Sequence, residues 1–318
     1  MPEKIKMNGM VPEGAVICPD PRFTYMDPEE VAALGARIMP GELHVEHVKR
    51  QYRDIQFGPL PEQLLDIYLP ESGEGPFPAI LYVHGGGWSI GTRASGSIDF
   101  AIDGVNRGYA VVGIDYRLLP DGRFPENVYD VKAAVRWLRA HAEEYHLDPD
   151  RFGMMGDSAG GHLTLMCAMT GDRPEYEGGY GNSEQSTRLQ ACISLYGPSD
   201  MLADDEMFLE SGKVRMSPPS KPSLYDVLFG ADIDNLLYLV SPMNMVHKDI
   251  PPILFQHGED DPLVPYQQST RLYEKVVAVC GGDHAELDLI PGYTHSDPRF
   301  LDGKWMERRF AFFDKYLK

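Results

Sequence analysis

The sequence predicts an α/β protein, with a mostly parallel central sheet and helices on both of its faces. Three observations carry that expectation. From about residue 45 onward, strand-like and helix-like stretches alternate, and repeated β-then-α units of this length build parallel sheets. Ala79–Val83 and Tyr109–Ile114 are unbroken apolar runs, the pattern of strands covered on both faces. Apolar residues make up 43% of the 318 and charged residues 24%, so a sizeable core is expected and general disorder is not.

Residues 1–45, rich in Pro, Gly and Met, read as an N-terminal arm or cap over a main body of 46–318. Within the arm, Asp27 reads as an N-cap, with Pro28 in the first helical position and Glu29 and Glu30 in the first turn. Strands follow at Val45–Asp54 and Leu64–Leu69. A helix is expected over Asn127–His141, where Val128, Val131, Val135 and Leu138 form one stripe with Trp137 beside it. Arg151–Met155 reads as a strand, Gly160–Met169 as a helix, and Ala191–Tyr196 and Ile253–Gln256 as strands. Tyr266–Val279 is a helix, Ala285–Ile290 the last strand and Trp305–Tyr316 the closing helix. Gly171–Arg188 and Met201–Leu237 break the rhythm, so a lid, if there is one, is expected within 171–237; ordinary surface excursions are the alternative.

The formal net charge is −19. It repels phosphate backbones and anionic lipid surfaces, so neither nucleic acid nor membrane is expected as a partner. The N-terminus has no apolar signal region, and no stretch approaches the roughly 18 apolar residues of a membrane span, which points to a cytoplasmic protein. Four distant cysteines, Cys18, Cys167, Cys192 and Cys280, form no metal-binding pair and require no disulfide framework. Cys167 and Cys192 lie in apolar stretches, as buried thiols do. No metal or cofactor is expected, and association into homo-oligomers is left open.

Gly156-Asp157-Ser158-Ala159-Gly160 fits G-x-S-x-G and falls between a predicted strand and a predicted helix. There a sharp turn exposes a serine hydroxyl, and the following helix N-terminus offers N–H groups to a developing oxyanion. His84-Gly85-Gly86-Gly87-Trp88 follows the strand at 79–83. Its glycines let the amides of Gly86 and Gly87 join that of Ala159 as an oxyanion hole. His84 is expected to brace the loop, and HGGGW does not match a dinucleotide fingerprint.

Ten histidines compete for the role of base. His295, in Pro291-Gly292-Tyr293-Thr294-His295, comes directly after the last predicted strand and keeps the order Ser, Asp, His. For the acid, Asp261 in His257-Gly258-Glu259-Asp260-Asp261-Pro262 is favoured because Pro262 fixes the turn after it; Asp260 and Asp200 are rivals. Trp88, with Phe208, Tyr225, Phe229 and Tyr238, is a candidate wall for a substrate pocket, against core packing as the plainer reading.

Three groups of motifs make the pattern specific: HGGGW, Asp115-Tyr116-Arg117-Leu118-Leu119-Pro120 with Arg123-Phe124-Pro125, and GDSAGGH. Over about 60–170 and 240–300 the chain resembles bacterial esterases of the hormone-sensitive-lipase type. It is most similar there to the group containing feruloyl and acetyl-xylan esterases. The resemblance implies the α/β-hydrolase fold, no cofactor, and hydrolysis of a small-molecule ester through an acyl-enzyme. It implies Ser158, Asp261 and His295 as triad, with Gly86, Gly87 and Ala159 as oxyanion donors. The chain departs from that pattern in its arm, in 171–237, and in Thr294-His295-Ser296-Asp297. A serine peptidase or lactonase would use the same three residues, and a non-catalytic binding protein on this fold would lack one of them. Dehalogenase chemistry is disfavoured because its elbow carries Asp.

Overall fold

The computed structural model describes residues 21–39, 41–215 and 233–318, together with short strand pieces at β1 (Met7–Asn8), β2 (Val11–Pro12), β3 (Val16–Ile17) and, between the last two ranges, Ser220–Lys221. The main sheet is built from β4 (Arg50–Gln56), β5 (Leu64–Leu69), β6 (Phe77–Val83), β7 (Ala110–Ile114), β8 (Leu147–Asp157) and β9 (Ala191–Leu195). Numbering Ser220–Lys221 as β10, it is completed by β11 (Ile253–Gly258) and β12 (Ala285–Ile290). Its order is β12-β11-β9-β8-β6-β7-β5-β4. The strands from β12 to β7 pair in parallel, while β5 and β4 add antiparallel at one edge. This is the predicted architecture.

Alternation along the strands separates two cores. In β6, Ala79, Leu81 and Val83 face one core while Ile80 and Tyr82 face the other, because successive side chains leave a strand on opposite faces. Every residue of β6 is buried, which is why its sequence carries no polar alternation. The first core is covered by α3 (Glu126–Ala140), α4 (Ala159–Met169) and, further on, the helix Gln267–Cys280. The valine–leucine stripe of α3 is wholly buried there. The second core is covered by α2 (Asp99–Ile102) and by the closing helix Gly303–Leu317, which contributes Phe310, Phe312, Phe313 and Leu317.

The arm's helix, α1, is Pro28–Ile38. The Asp27 carboxylate accepts from the amides of Glu29 and Glu30, each at 2.9 Å, and Glu30 accepts from the Asp27 amide at 3.2 Å. This reciprocal cap fixes where the helix begins.

One strand boundary differs from expectation, and the two stretches that break the rhythm take separate places. The first edge strand starts at Arg50 rather than Val45. Val45 and Val48 are buried in a turn instead, closed by the Val48 amide on the Val45 carbonyl (3.0 Å) and by Gln51 on both carbonyls. The stretch 171–188 leaves from the C-terminal end of α4, the end away from Ser158, and is pinned to α3 by Lys132 and Arg136 on Glu177. Met201–Arg215 instead follows β9 and contains the helix α5 (Asp204–Ser211). It meets the arm: the Met26 amide donates to the Arg215 carbonyl at 2.8 Å and the Arg215 amide to that of Thr24 at 2.9 Å.

Candidate active site

The nucleophile elbow is sterically defined. Ser158 closes β8 onto α4 at φ 51°, ψ −118°, a conformation L-residues adopt only when the surroundings enforce it. Those surroundings exclude side chains at both flanking glycines. A Cβ at Gly160 would lie 2.0 Å from the Val83 carbonyl oxygen, and one at Gly156 would lie 2.4 Å from that of Gly160. The Ser158 amide is held by the Leu195 carbonyl at 2.9 Å. Strand, turn and helix therefore present the hydroxyl at the sheet's carboxyl edge.

The imidazole and the carboxylate arrive from loops after the last two strands of the sheet. His295 Nε2 lies 2.9 Å from Ser158 Oγ, and His295 Nδ1 lies 2.7 Å from Asp261 Oδ2. The carboxylate accepts from Nδ1–H, which leaves the Nε2 lone pair facing the serine hydroxyl. All three groups are buried. The second oxygen of Asp261 accepts from the amides of Leu263 and Val264 at 2.9 and 2.8 Å, the turn closed by Pro262. Burial alone would raise this carboxyl; His295 and His257 beside it, and their hydrogen bonds, outweigh burial and hold it well below the ordinary range. The rivals are elsewhere: Asp260 is half exposed and paired with Lys213, and Asp200 accepts from the Leu202 amide.

Gly86 and Gly87 have φ of +108° and +57°, and a Cβ at Gly86 would lie 2.2 Å from the Ile90 carbonyl oxygen. Among the described residues, the amides of Gly86, Gly87 and Ala159 find no protein acceptor. Donors left without a partner beside a serine hydroxyl can stabilise a negative charge developing there. His84 braces this loop, its Nδ1 at 2.8 Å from the Gly85 carbonyl and its ring stacked on Tyr116.

Trp88, a candidate pocket wall, takes the plainer reading of core packing. It is 5% exposed and packed in the first core, with φ 57° turning its side chain inward. Its indole N–H is spent on His162, so it supports the glycine loop instead of walling a pocket. Phe208 is buried beneath the Arg215 guanidinium and Tyr238 is largely exposed. Tyr225 and Phe229 lie outside the described residues.

Three supporting residues escaped sequence reasoning. Asp157 accepts from Tyr82 Oη at 2.6 Å and from the Gly85 amide at 2.8 Å, tying the glycine loop to the elbow; burial raises its carboxyl despite those bonds. His257 donates through Nε2 to the Val264 carbonyl at 3.0 Å, with that nitrogen 3.4 Å from Asp261 Oδ2 and Nδ1 facing Ser269. Tyr196 packs edge-on against the His295 ring, centroids 4.7 Å apart. The unspecified second position of G-x-S-x-G and the histidine of H-G-x-x-D were the available signals for the first two.

A cavity of about 220 Å³ borders this centre, lined by Arg37 and Met39, by Gly86, Ser97 and Phe100, and by Ser296. Among the described residues no helix is long and apolar enough to cross a membrane.

Sheet order, elbow and loop placement define an α/β-hydrolase fold. More narrowly, the chain belongs to the BD-FAE family, whose model matches residues 65–276. It is 31% identical over 245 residues to the probable carboxylic ester hydrolase LipM of Mycobacterium tuberculosis, covering 74% of this chain and 54% of LipM. The chain thus spans between half and two thirds of the length of such curated relatives. Among solved structures it is similar to a truncated carbohydrate esterase from gut microbiota (TM-score 0.74, 28% identity, 86% of this chain and 98% of that one). It is also similar to a bifunctional GH43-CE protein of Bacteroides eggerthii (TM-score 0.72, 28% identity, 83% of this chain and 35% of that one).

Proposed function

We propose that this chain is a serine carboxylesterase acting on short-chain acyl esters, acetyl to butyryl, with acetyl or feruloyl esters of carbohydrates as its natural class. The observation that carries the reading is the unbroken line from Ser158 Oγ through His295 to Asp261, ending beside three unspent amides. The names of the relatives support the ester: LipM is a probable carboxylic ester hydrolase, and the structural neighbours include a carbohydrate esterase.

In the first step Ser158 Oγ bonds to the ester carbonyl carbon while its proton passes to His295 Nε2. The carbonyl oxygen takes the electron pair as an oxyanion facing the amides of Gly86, Gly87 and Ala159. Collapse breaks the ester C–O bond, and His295 gives its proton to the leaving alcohol. Water then attacks the acyl-enzyme, again yielding its proton to His295, and the acid departs as Ser158 is restored. Asp261, ionised throughout, keeps the proton on Nδ1 and stabilises the imidazolium.

The test is direct. A fluorophosphonate should label Ser158, and Ser158→Ala should lower turnover of 4-nitrophenyl acetate by about a million-fold. A Ser158→Ala variant that kept most of the activity would remove the reading. A panel of acyl lengths, feruloyl esters and acetylated xylo-oligosaccharides assigns the substrate.

A further inference from the structure

The helix of the N-terminal arm and the loop that carries His295 both lie outside the stretch matched by the family, 65–276, and a side chain of the helix reaches that loop. Arg37, in the last turn of α1, donates from Nη2 to Thr294 Oγ1 at 2.7 Å and to the carbonyl oxygen of His295 itself at 2.9 Å. The helix that carries it is seated on the body. Leu34 is buried, and the Gly96 amide donates to the Gly41 carbonyl at 3.0 Å just beyond the helix.

The loop's flanks are held by the Asp260 amide on the Tyr293 carbonyl at 3.0 Å and by Arg299 on the Gly292 carbonyl and the Asp297 carboxylate at 2.6 and 2.7 Å; Arg37 adds the hold at Thr294 and His295. Between β12 and the turn at Pro298 the loop runs without regular structure. Its internal brace at this point, the Thr294 amide on Asp297 at 3.4 Å, is long. A guanidinium that grips a hydroxyl and the next residue's carbonyl fixes both the position and the rotation of the chain between them. The stretch Met201–Arg215, which meets the arm, touches the acid's loop through Lys213 on Asp260, but that pair is half exposed and involves no member of the triad. Arg37 bonds a triad residue's own backbone.

We propose that Arg37 is a positioning residue of the active site, holding His295 within hydrogen-bonding distance of Ser158 from the N-terminal arm. The inference rests on the esterase reading. It assigns the arm a part in the chemistry, where its sequence suggests only a cover.

Wild type, Arg37→Met, Arg37→Lys, Thr294→Val and Lys213→Met are compared by the rate at which a fluorophosphonate modifies Ser158 and by kcat and KM on 4-nitrophenyl acetate. Arg37→Met should slow both modification and kcat about ten-fold, with KM moving less than about two-fold, since misplacing a reacting group costs rate rather than ground-state binding. Arg37→Lys should recover most of that loss. Thr294→Val, which removes one of the two acceptors and reports even if Arg37→Met does not fold, should slow both about three-fold. Modification of Arg37→Met or Thr294→Val at the wild-type rate overturns the inference and leaves the esterase reading standing. Equal slowing by Lys213→Met overturns it too, because the joint seating of the arm and Met201–Arg215 would then be the cause. Failure of wild type to label overturns both.

Discussion

The indole N–H of Trp88 donates to Nδ1 of His162 at 3.3 Å, and the two rings meet edge to face with centroids 5.3 Å apart. Trp88 directly follows the glycines of the oxyanion loop, and His162 lies one helical turn beyond Ser158. The bond therefore ties the loop that carries two amides to the helix that carries the third. His162 completes the link by donating from Nε2 to the Val240 carbonyl at 2.8 Å. Trp88→Phe keeps a buried ring but leaves Nδ1 without its donor and opens a small cavity. The expected cost is about 2 kcal/mol in chemical denaturation, with kcat on 4-nitrophenyl acetate lowered several-fold. Unchanged stability and rate would mean that the two elements are held together by other contacts.

The same histidine makes the fold sensitive to acid. Burial lowers the His162 imidazole from 6.5 to about 4, against a smaller upward push from its bond to Val240, and burial likewise lowers His84. Below pH 6.5 the unfolded chain takes up a proton that folded His162 refuses. Stability is thus full above pH 6.5 and falls as pH drops toward 4. From His162 alone the loss reaches about 2 to 3 kcal/mol near pH 4.5. Denaturation of wild type and His162→Gln at pH 7.5 and 4.5 measures it, and the variant should lose correspondingly less between the two. Equal losses would place the acid sensitivity in other groups.

Adjacent acids give a sharper contrast. Asp261 and Asp260 differ by one position, yet the first is buried against His295 and the second is half exposed against Lys213. Asp261→Asn keeps the shape but favours the wrong imidazole tautomer, which should lower kcat about 10⁴-fold. Asp260→Asn loses one surface ion pair, expected to cost about 0 to 1 kcal/mol of stability and under about three-fold in rate. Comparable losses in the two variants would contradict the assignment of the acid.

The sheet, and the meeting of Ser158, His295 and Asp261 at its edge, were legible because the local sequence constrains them strongly. A strand such as β6, buried on both faces, carries a near-continuous apolar run, and the elbow permits no side chain at Gly156 or Gly160. Arg37 was not legible, since a basic residue in the last turn of a helix also reads as a complement to the helix dipole. For Trp88 the sequence left a pocket wall beside the plainer reading of core packing, because the left-handed backbone, φ 57°, with which the ring is packed in the core leaves no mark in a residue's identity. Val45 and Val48 have strand composition but are held in a turn by Gln51, a contact that local propensity does not contain.

The elbow itself yields the last prediction. Gly160 is in the first turn of α4, where alanine would ordinarily favour a helix by about 1 kcal/mol over glycine. Here a Cβ would meet three backbone atoms of Val83 and His84, the nearest at 2.0 Å and the others at 2.6 and 2.7 Å. None of these can swing aside as a side chain would, because Val83 is paired within the sheet and His84 starts the oxyanion loop. Relief requires α4 to move off β6, carrying Ser158 and the Ala159 amide away from His295 and from Gly86. Gly160→Ala is therefore expected to lose more than about 3 kcal/mol of stability and nearly all turnover. Gly179→Ala, where a Cβ meets nothing within 4 Å, should change neither by more than about 0.5 kcal/mol. Thermal unfolding and 4-nitrophenyl acetate turnover of the two variants make the comparison. A stable, active Gly160→Ala would show that the close approach of helix to strand is not what sets the nucleophile.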